Sequence, residues 1–311
     1  MHTESTCIVV VTFNRKELLI VNIASLLKQN KNAEKILIID NNSNDGTYDL
    51  LKEKFLDLEN IEYHNTGANL GGAGGFRFGM ELAYSRGYEW IWIMDDDVAT
   101  TPNALQTLYS YKDISPFIHP GKYFEDGTKF HWEGFFDPNT TLMHWRKRKS
   151  QFEESDYVNV NYGCFEGALI HRKVIDKIGL PDDRFFIHND DLLYGLLASQ
   201  FFPVIYIKEH CLTKLINKKA FKKFLFLKNE SFSPFATYFI LRNQFLLKEI
   251  LIEKLPYTNE KLLNFFTFLK IVKMFLEVTL FERSWAHFKM FRLALKHGRS
   301  RNYQGHKEFI N

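Results

Sequence analysis

Four short apolar runs in the first hundred residues each give way abruptly to polar residues, and this alternation restricts the fold more than any other feature. Cys7–Val11 stops at Thr12-Phe13-Asn14-Arg15, and Lys35–Ile39 stops at Asp40-Asn41-Asn42-Ser43. Ile61–Tyr63 leads to Asn69-Leu70-Gly71-Gly72, and Trp90–Met94 ends in Asp95-Asp96-Asp97. Between the runs, residues 17–30, 47–55 and 74–86 carry helical spacing. Strands alternating with helices predict an α/β fold: a mostly parallel, Rossmann-like sheet flanked by helices. Polar residues directly after each strand fall at the carboxyl edge, where such sheets bind ligands.

Four constellations belong to that edge. In an extended segment Asp95 and Asp97 point to the same side. Their carboxylates repel unless a cation lies between them, and hard oxygens suit Mg²⁺ or Mn²⁺. The plain alternative is a solvated acidic turn or a helix cap before Thr100-Thr101-Pro102. Asn69-Leu70-Gly71-Gly72-Ala73-Gly74-Gly75-Phe76-Arg77 opens a helix with glycines, whose free amides can cradle phosphate, or else forms a simple turn. It has neither Walker nor dinucleotide-fingerprint spacing. Phe185-Phe186-Ile187-His188-Asn189-Asp190-Asp191 places two carboxylates at the start of an apolar helix, Leu192–Ser199. One of them suffices as a cap, and the other is a candidate general base. His210 follows the strand-like Val204–Ile207, and a lone histidine is more often structural than a ligand.

Together these residues resemble family 2 glycosyltransferases of the GT-A fold. Val9–Arg15, Ile38–Ser43, Asp45-Gly46-Thr47 and Asp95-Asp96-Asp97 match that family's opening strands and metal motif. Within it, Asn69–Phe76, Gly179-Leu180-Pro181 and Phe185-Phe186-Ile187 leading to Asp190-Asp191 resemble bacterial galactofuranosyltransferases, with rhamnosyltransferases sharing much of the pattern. The match covers roughly residues 7–212, and Tyr238–Asn243 resembles a recurrent segment downstream. The resemblance implies that Asp95, Asp97 and His210 hold the metal. It implies that Asp191 is the base and that Asp190 orients the acceptor. Thr12, Asn14, Arg15, Asp40 and Asn41 would line the nucleotide pocket, with Asn69, Gly71, Gly72, Arg77 and Asp96 near the pyrophosphate or the sugar. The implied activity is inverting, metal-dependent transfer from a UDP-sugar, UDP-galactofuranose first and dTDP-rhamnose second, to a glycan or lipid-linked saccharide. One departure stands out: an aromatic commonly precedes the paired acids in this group, and here Asn189 does.

Charge divides the chain. Residues 1–200 hold 20 Lys and Arg against 29 Asp and Glu, and residues 201–311 hold 20 against 8. The expected organisation is therefore a catalytic region, 1–212, with a nucleotide part (1–97) and an acceptor part (98–212), followed by a basic amphipathic helical region, 213–311. Helical spacing there covers Ala236–Lys254 and Glu260–Lys296, with Phe and Leu interleaved with Lys and Arg. Such helices either lie on an anionic membrane surface or pack within the protein or an oligomer. The stretch Leu262–Phe281 is broken by Lys270, Lys273 and Glu277, so it is a poor spanning helix. No signal peptide is evident, and three scattered cysteines form no disulfide or zinc pattern. These features fit a cytoplasmic protein, peripheral on the inner face of the plasma membrane. A nucleic-acid-binding protein is the rival of another class, but no motif for it is present. A nucleotidyltransferase is expected to carry glycines just after its first strand, where this chain has Thr12-Phe13-Asn14-Arg15.

Overall fold

The computed structural model describes residues 5–130, 132–144, 155–216, 221–224, 227–230 and 232–309, with backbone alone for residues 221–224 and 227–230. The basic run Arg146–Lys149, expected as a solvated loop, lies outside the described residues. The chain forms two compact units, one of residues 1–135, 145–183 and 191–217, the other of residues 136–144, 184–190 and 218–311.

The first unit is built on a ten-stranded sheet. Its strands are β1 (Thr6–Thr12), β2 (Lys35–Asp40), β3 (Ile61–Asn65), β4 (Trp90–Asp95), β5 (Val98–Thr100), β6 (Phe117–Phe124), β7 (Lys129–Phe130), β8 (Tyr157–Val160), β9 (Ala168–His171) and β10 (Val204–Lys214). The order is β8-β10-β6-β9-β4-β1-β2-β3, with β5 on β10 and β7 on β6. β3, β2, β1 and β4 run parallel, which is the half the alternating runs describe. β9 enters antiparallel beside β4, so the other half is mixed.

Helices α1 (Lys16–Leu26), α2 (Thr47–Lys54), α3 (Gly71–Ser85), α4 (Ala104–Tyr109), α5 (Arg172–Ile178) and α6 (Asp190–Ala198) accompany the sheet. β1 shows why its run is continuously apolar. Ile8 and Val10 join Leu19 and Ile23 of α1 in one core, while Val9 and Val11 join Phe76 and Met80 of α3 in another. The α3 contact is close enough to demand glycine. A Cβ at Gly79 would meet Val9 Cγ1 at 2.3 Å, and one at Gly75 would meet Val11 Cγ1 at 2.6 Å. Gly75, the last of the glycine cluster, and Gly79 one turn on therefore serve helix-on-sheet packing, and the helix begins at Gly71 rather than Gly74.

The second unit holds α7 (Pro234–Lys254), α8 (Glu260–Glu277), α9 (Trp285–Arg299) and a hairpin, β11 (Phe221–Phe224) with β12 (Leu227–Glu230). Phe186, Tyr238, Phe239, Leu241, Val278, Phe291 and Ala294 form its core. The single helix expected over 260–296 is two helices. A π turn at Val278–Glu282 and a left-handed Arg283, φ +45°, break it. Among the described residues no helix is long and apolar enough to cross a membrane. The expected division at 212/213 differs from these units: β10 continues through Lys214, and residues 136–144 and 184–190 belong with the helical unit.

Candidate active site

Parallel register brings the strand ends together. Thr12 is paired with Asp40 across β1 and β2, and Val11 with Asp95 across β1 and β4. Asn41 N donates to Thr12 O at 2.9 Å, continuing the ladder one step past the strands. The Thr12 hydroxyl donates to Asp96 Oδ2 at 2.7 Å, and Arg15 Nη1 reaches Asp96 Oδ1 at 3.3 Å and Asp97 Oδ2 at 3.1 Å. Burial raises the Asp96 carboxyl to about 6 against the pull of Thr12 and Arg15.

The neighbouring loop is built from side-chain caps. Asn14, at φ +51°, donates from its backbone to Ser43 Oγ and accepts from Asn44 N, both at 2.8 Å. Asp40 accepts from Ser43 N at 2.8 Å and from the Tyr63 hydroxyl at 2.7 Å. Asn41 Nδ2 donates to Gly71 O at 3.0 Å, while its buried Oδ1 has no hydrogen-bond partner. Gly71 adopts φ +70° and donates to Asn69 Oδ1 at 2.9 Å, and the space around Gly72 is open. Arg77, expected near the pyrophosphate or sugar, donates to Pro181 O at 3.0 Å.

Asp95 and Asp97 are joined by Glu166, which stands just before β9. One oxygen from each of the three lies within 4.8 Å of the others. Burial, then Asp97 and Glu166, push the Asp95 carboxyl well up. Lys214, at the end of β10, is ion-paired with Glu166 and lies 3.5 Å from Asp97 Oδ1. Beyond Glu166, Lys122 lies 3.9 Å from Glu166 Oε2 and is ion-paired with the fully buried Glu133. Burial alone would lower the Lys122 ammonium, but Cys164, Glu133 and Glu166 outweigh it.

Asp190 and Asp191 open α6. Asp191 Oδ1 accepts from Leu192 N at 2.7 Å, burial lifts its carboxyl to about 6, and Lys122 and Glu133 act on it electrostatically. The loop before them is strained: Phe186, His188 and Asn189 have φ of +65°, +67° and +71°. Asn243 Nδ2 donates to the carbonyls of Phe185, Ile187 and His188, and buried Arg242 to those of Arg184 and Phe185. That is the structural work of the Tyr238–Asn243 segment.

His210, expected as a third ligand, stands outside the group formed by Asp95, Asp97 and Glu166. It is exposed, its ring packs at a tilt of 42° against Tyr123 with 4.4 Å between centroids, and Nε2 meets Thr213 Oγ1 at 2.9 Å. The β6–β10 register shifts on both sides of His210, so the strand's alternation is reset there. Lys214, four residues on, is the β10 residue that reaches the acids. The sequence reading also missed Glu166, Lys122 and Glu133. Their only local signal is a charge embedded in an apolar stretch, such as Phe165-Glu166-Gly167-Ala168-Leu169, where burial demands a partner. Three hard oxygens, with Glu166 Oε2 buried and lacking a hydrogen-bond partner, fit a small divalent cation.

A Rossmann-like sheet with acidic residues at the end of β4 and a helix N-terminus after β3 agrees with the glycosyltransferase GT-A fold. More narrowly, the chain belongs to Glycosyl transferase family 2, whose sequence model matches residues 7–179. It is 28% identical over 204 residues to galactofuranosyltransferase GlfT1 of Mycolicibacterium smegmatis, a match covering 61% of this chain and 64% of the relative. It is 23% identical over 244 residues to the dTDP-rhamnosyl transferase RfbF of Shigella flexneri, covering 77% and 78%. Among solved structures, residues 1–349 of S. aureus TarS with UDP-GlcNAc match at a TM-score of 0.59 and 12% identity, covering 97% of this chain and 89% of that one.

Proposed function

We propose that the chain transfers galactofuranose from UDP-galactofuranose to a hydroxyl of a glycan or lipid-linked saccharide, with inversion. The observation that carries this reading is the row of acids within the first unit. A hard-oxygen cation site, Asp95-Asp97-Glu166, is linked through Lys214 and Lys122 to the neighbourhood of a basic carboxylate, Asp191. The GlfT1 likeness supports the sugar, and the TarS complex with UDP-GlcNAc supports a UDP donor.

When bound at those carboxylates, Mn²⁺ or Mg²⁺ supplies Lewis acidity for the charge that develops on the departing diphosphate. The chain's own groups do the rest. Thr12, Asn14, Arg15, Asp40 and Asn41 line the nucleoside side. Gly72, beside open space, offers the N-terminus of α3 to phosphate oxygens, and Gly71, whose amide is held by Asn69, sets the turn that leads into it. Asp96 holds Arg15 in place. Asp191 takes the acceptor hydroxyl's proton, and Asp190 orients the acceptor. A carboxyl near 6 is ionised at neutral pH yet more basic than a free aspartate. Attack from the face opposite the leaving group inverts the anomeric centre.

The likeness to RfbF favours dTDP-rhamnose as the second donor. The exposed apolar stripe of α8, edged by Lys261 and Lys273, supports peripheral docking on the cytoplasmic face of an anionic membrane, beside a lipid-linked acceptor. The test is a donor panel with a saccharide acceptor, following nucleotide release and product mass. UDP release with addition of one or more hexofuranosyl residues is expected. Turnover of dTDP-rhamnose alone would overturn the galactofuranose reading.

A further inference from the structure

The carboxylate group is supplied with a cation by the chain itself. Lys214 closes β10, and that strand is locked to the acidic turn: Lys214 is paired with Val98 across β10 and β5, and Leu215 N donates to Asp97 O at 2.9 Å. The ammonium is ion-paired with Glu166 and lies 3.5 Å from Asp97 Oδ1, in a side chain only 9% exposed. Arg15 takes the other oxygen of Asp97 at 3.1 Å. Both oxygens of Asp97 and one of Glu166 are thus engaged by Arg15 and Lys214, while Glu166 Oε2, with no hydrogen-bond partner, has only Lys122 at 3.9 Å, so Asp95 and Glu166 Oε2 are the oxygens most open to an entering ion.

A divalent ion held by three carboxylates sits roughly 2.1 Å from each oxygen. An ammonium bonded to two of the same groups would be pressed against it, cation to cation. We propose that Lys214 is a resident counter-cation of this site. A divalent ion must displace its ammonium from Asp97 and Glu166, so the donor-free protein binds the ion weakly. The four acids Asp95, Asp96, Asp97 and Glu166 outnumber Arg15, Lys214 and Lys122, the last of which is shared with Glu133, so the group still attracts a cation. A nucleotide diphosphate adds negative charge and gives the released ammonium a new partner, so ion and nucleotide tighten each other's binding by the same factor. The nucleotide part rests on the proposed function; the displacement does not.

The test is Mn²⁺ affinity of the full-length protein by electron paramagnetic resonance, without nucleotide, for wild type, Lys214→Gln, Lys214→Met and Lys214→Arg. The two neutral variants are expected to bind Mn²⁺ about tenfold or more tighter than wild type, and Lys214→Arg to stay weak. Equal or weaker binding in folded neutral variants, checked by circular dichroism, overturns the proposal. A second readout needs no variant. Crystals of the wild type soaked in Mn²⁺ should show Lys214 moved off Asp97 and Glu166. An ion bound with both pairs intact overturns it. Repeating the titration with UDP separates the two readings: tight Mn²⁺ binding by Lys214→Gln with no response to UDP leaves the lysine role standing and removes the UDP-sugar donor.

Discussion

Thr12 Oγ1 donates to Asp96 Oδ2 at 2.7 Å, tying the end of β1 to the acidic turn that ends β4. Both side chains are buried, and Asp96 is also ion-paired with Arg15, which is half exposed. Thr12→Val keeps the shape and deletes the donor. A buried carboxylate then loses a hydrogen bond, which is expected to cost about 1–3 kcal/mol. UDP affinity should fall with it, because Asp96 holds Arg15. Thermal unfolding and calorimetric UDP binding check this. An unchanged Tm with unchanged UDP affinity would show that the bond carries neither stability nor donor binding.

Asp191 sets a pH dependence whose sign follows from its role. A base works ionised, and burial raises this carboxyl to about 6. The log of kcat/KM should therefore be flat above about pH 7 and fall with unit slope below about pH 6. Asp191→Asn should lose about 10²-fold to 10⁴-fold in kcat while UDP binding persists. A wild-type profile flat down to pH 5, or lost UDP binding in the variant, excludes Asp191 as the base.

Lys122 and Glu133 form a buried ion pair, and each depends on the other. Lys122 and His119 hold Glu133 down to about 2 although burial opposes them. Lys122→Met strands that carboxylate and is expected to cost about 3–5 kcal/mol, read as a lower urea midpoint. The linkage sign is that of a depressed acid. Glu133 contributes its stability above its unfolded value near 4.3, and that contribution is lost as pH falls toward about 2. The wild type should therefore lose more stability between about pH 4.5 and pH 3 than the double variant Lys122→Met, Glu133→Leu. Identical acid profiles would remove the pair from the stability account.

These partners were hidden in the sequence for a physical reason. Thr12, Asp40 and Asp95 could be read onto one edge because each ends an apolar run, and adjacent parallel runs fix their own register. Glu166 and Lys214 are single charges whose meaning comes from strand pairings made 48 and 117 residues away along the chain, Lys214 with Glu166 and with Asp97. The position of His210 relative to the acids was not legible either, because alternation along a strand holds only between bulges, and β10 is irregular on both sides of it. Gly75, read in the sequence as part of a phosphate cradle or a simple turn, instead packs with Gly79, one helical turn on, against β1. Asn189 in place of an aromatic is one of the left-handed residues in a loop whose carbonyls Asn243 and Arg242 collect.

The α8 stripe makes the membrane reading testable. Leu262, Phe265, Phe268, Leu269, Val272, Phe275 and Leu276 are all exposed, with Phe268 at 60% and Phe265 at 55%. At 100° per residue they fall within one face, while Leu263 and Thr267 are buried on the other. Trp285, just beyond the break at Arg283, is 78% exposed. Inserting one phenylalanine into the acyl boundary contributes about 1.5–3 kcal/mol, so each Phe→Ser change should weaken binding about tenfold or more. Phe265→Ser with Phe268→Ser should therefore abolish flotation with vesicles containing anionic lipid, and leave turnover of a soluble acceptor unchanged. Salt should weaken wild-type binding, because Lys261 and Lys273 flank the stripe. If wild type ignores vesicles but the double variant shifts from dimer to monomer in sedimentation, the stripe faces a second copy of the chain and the membrane reading fails.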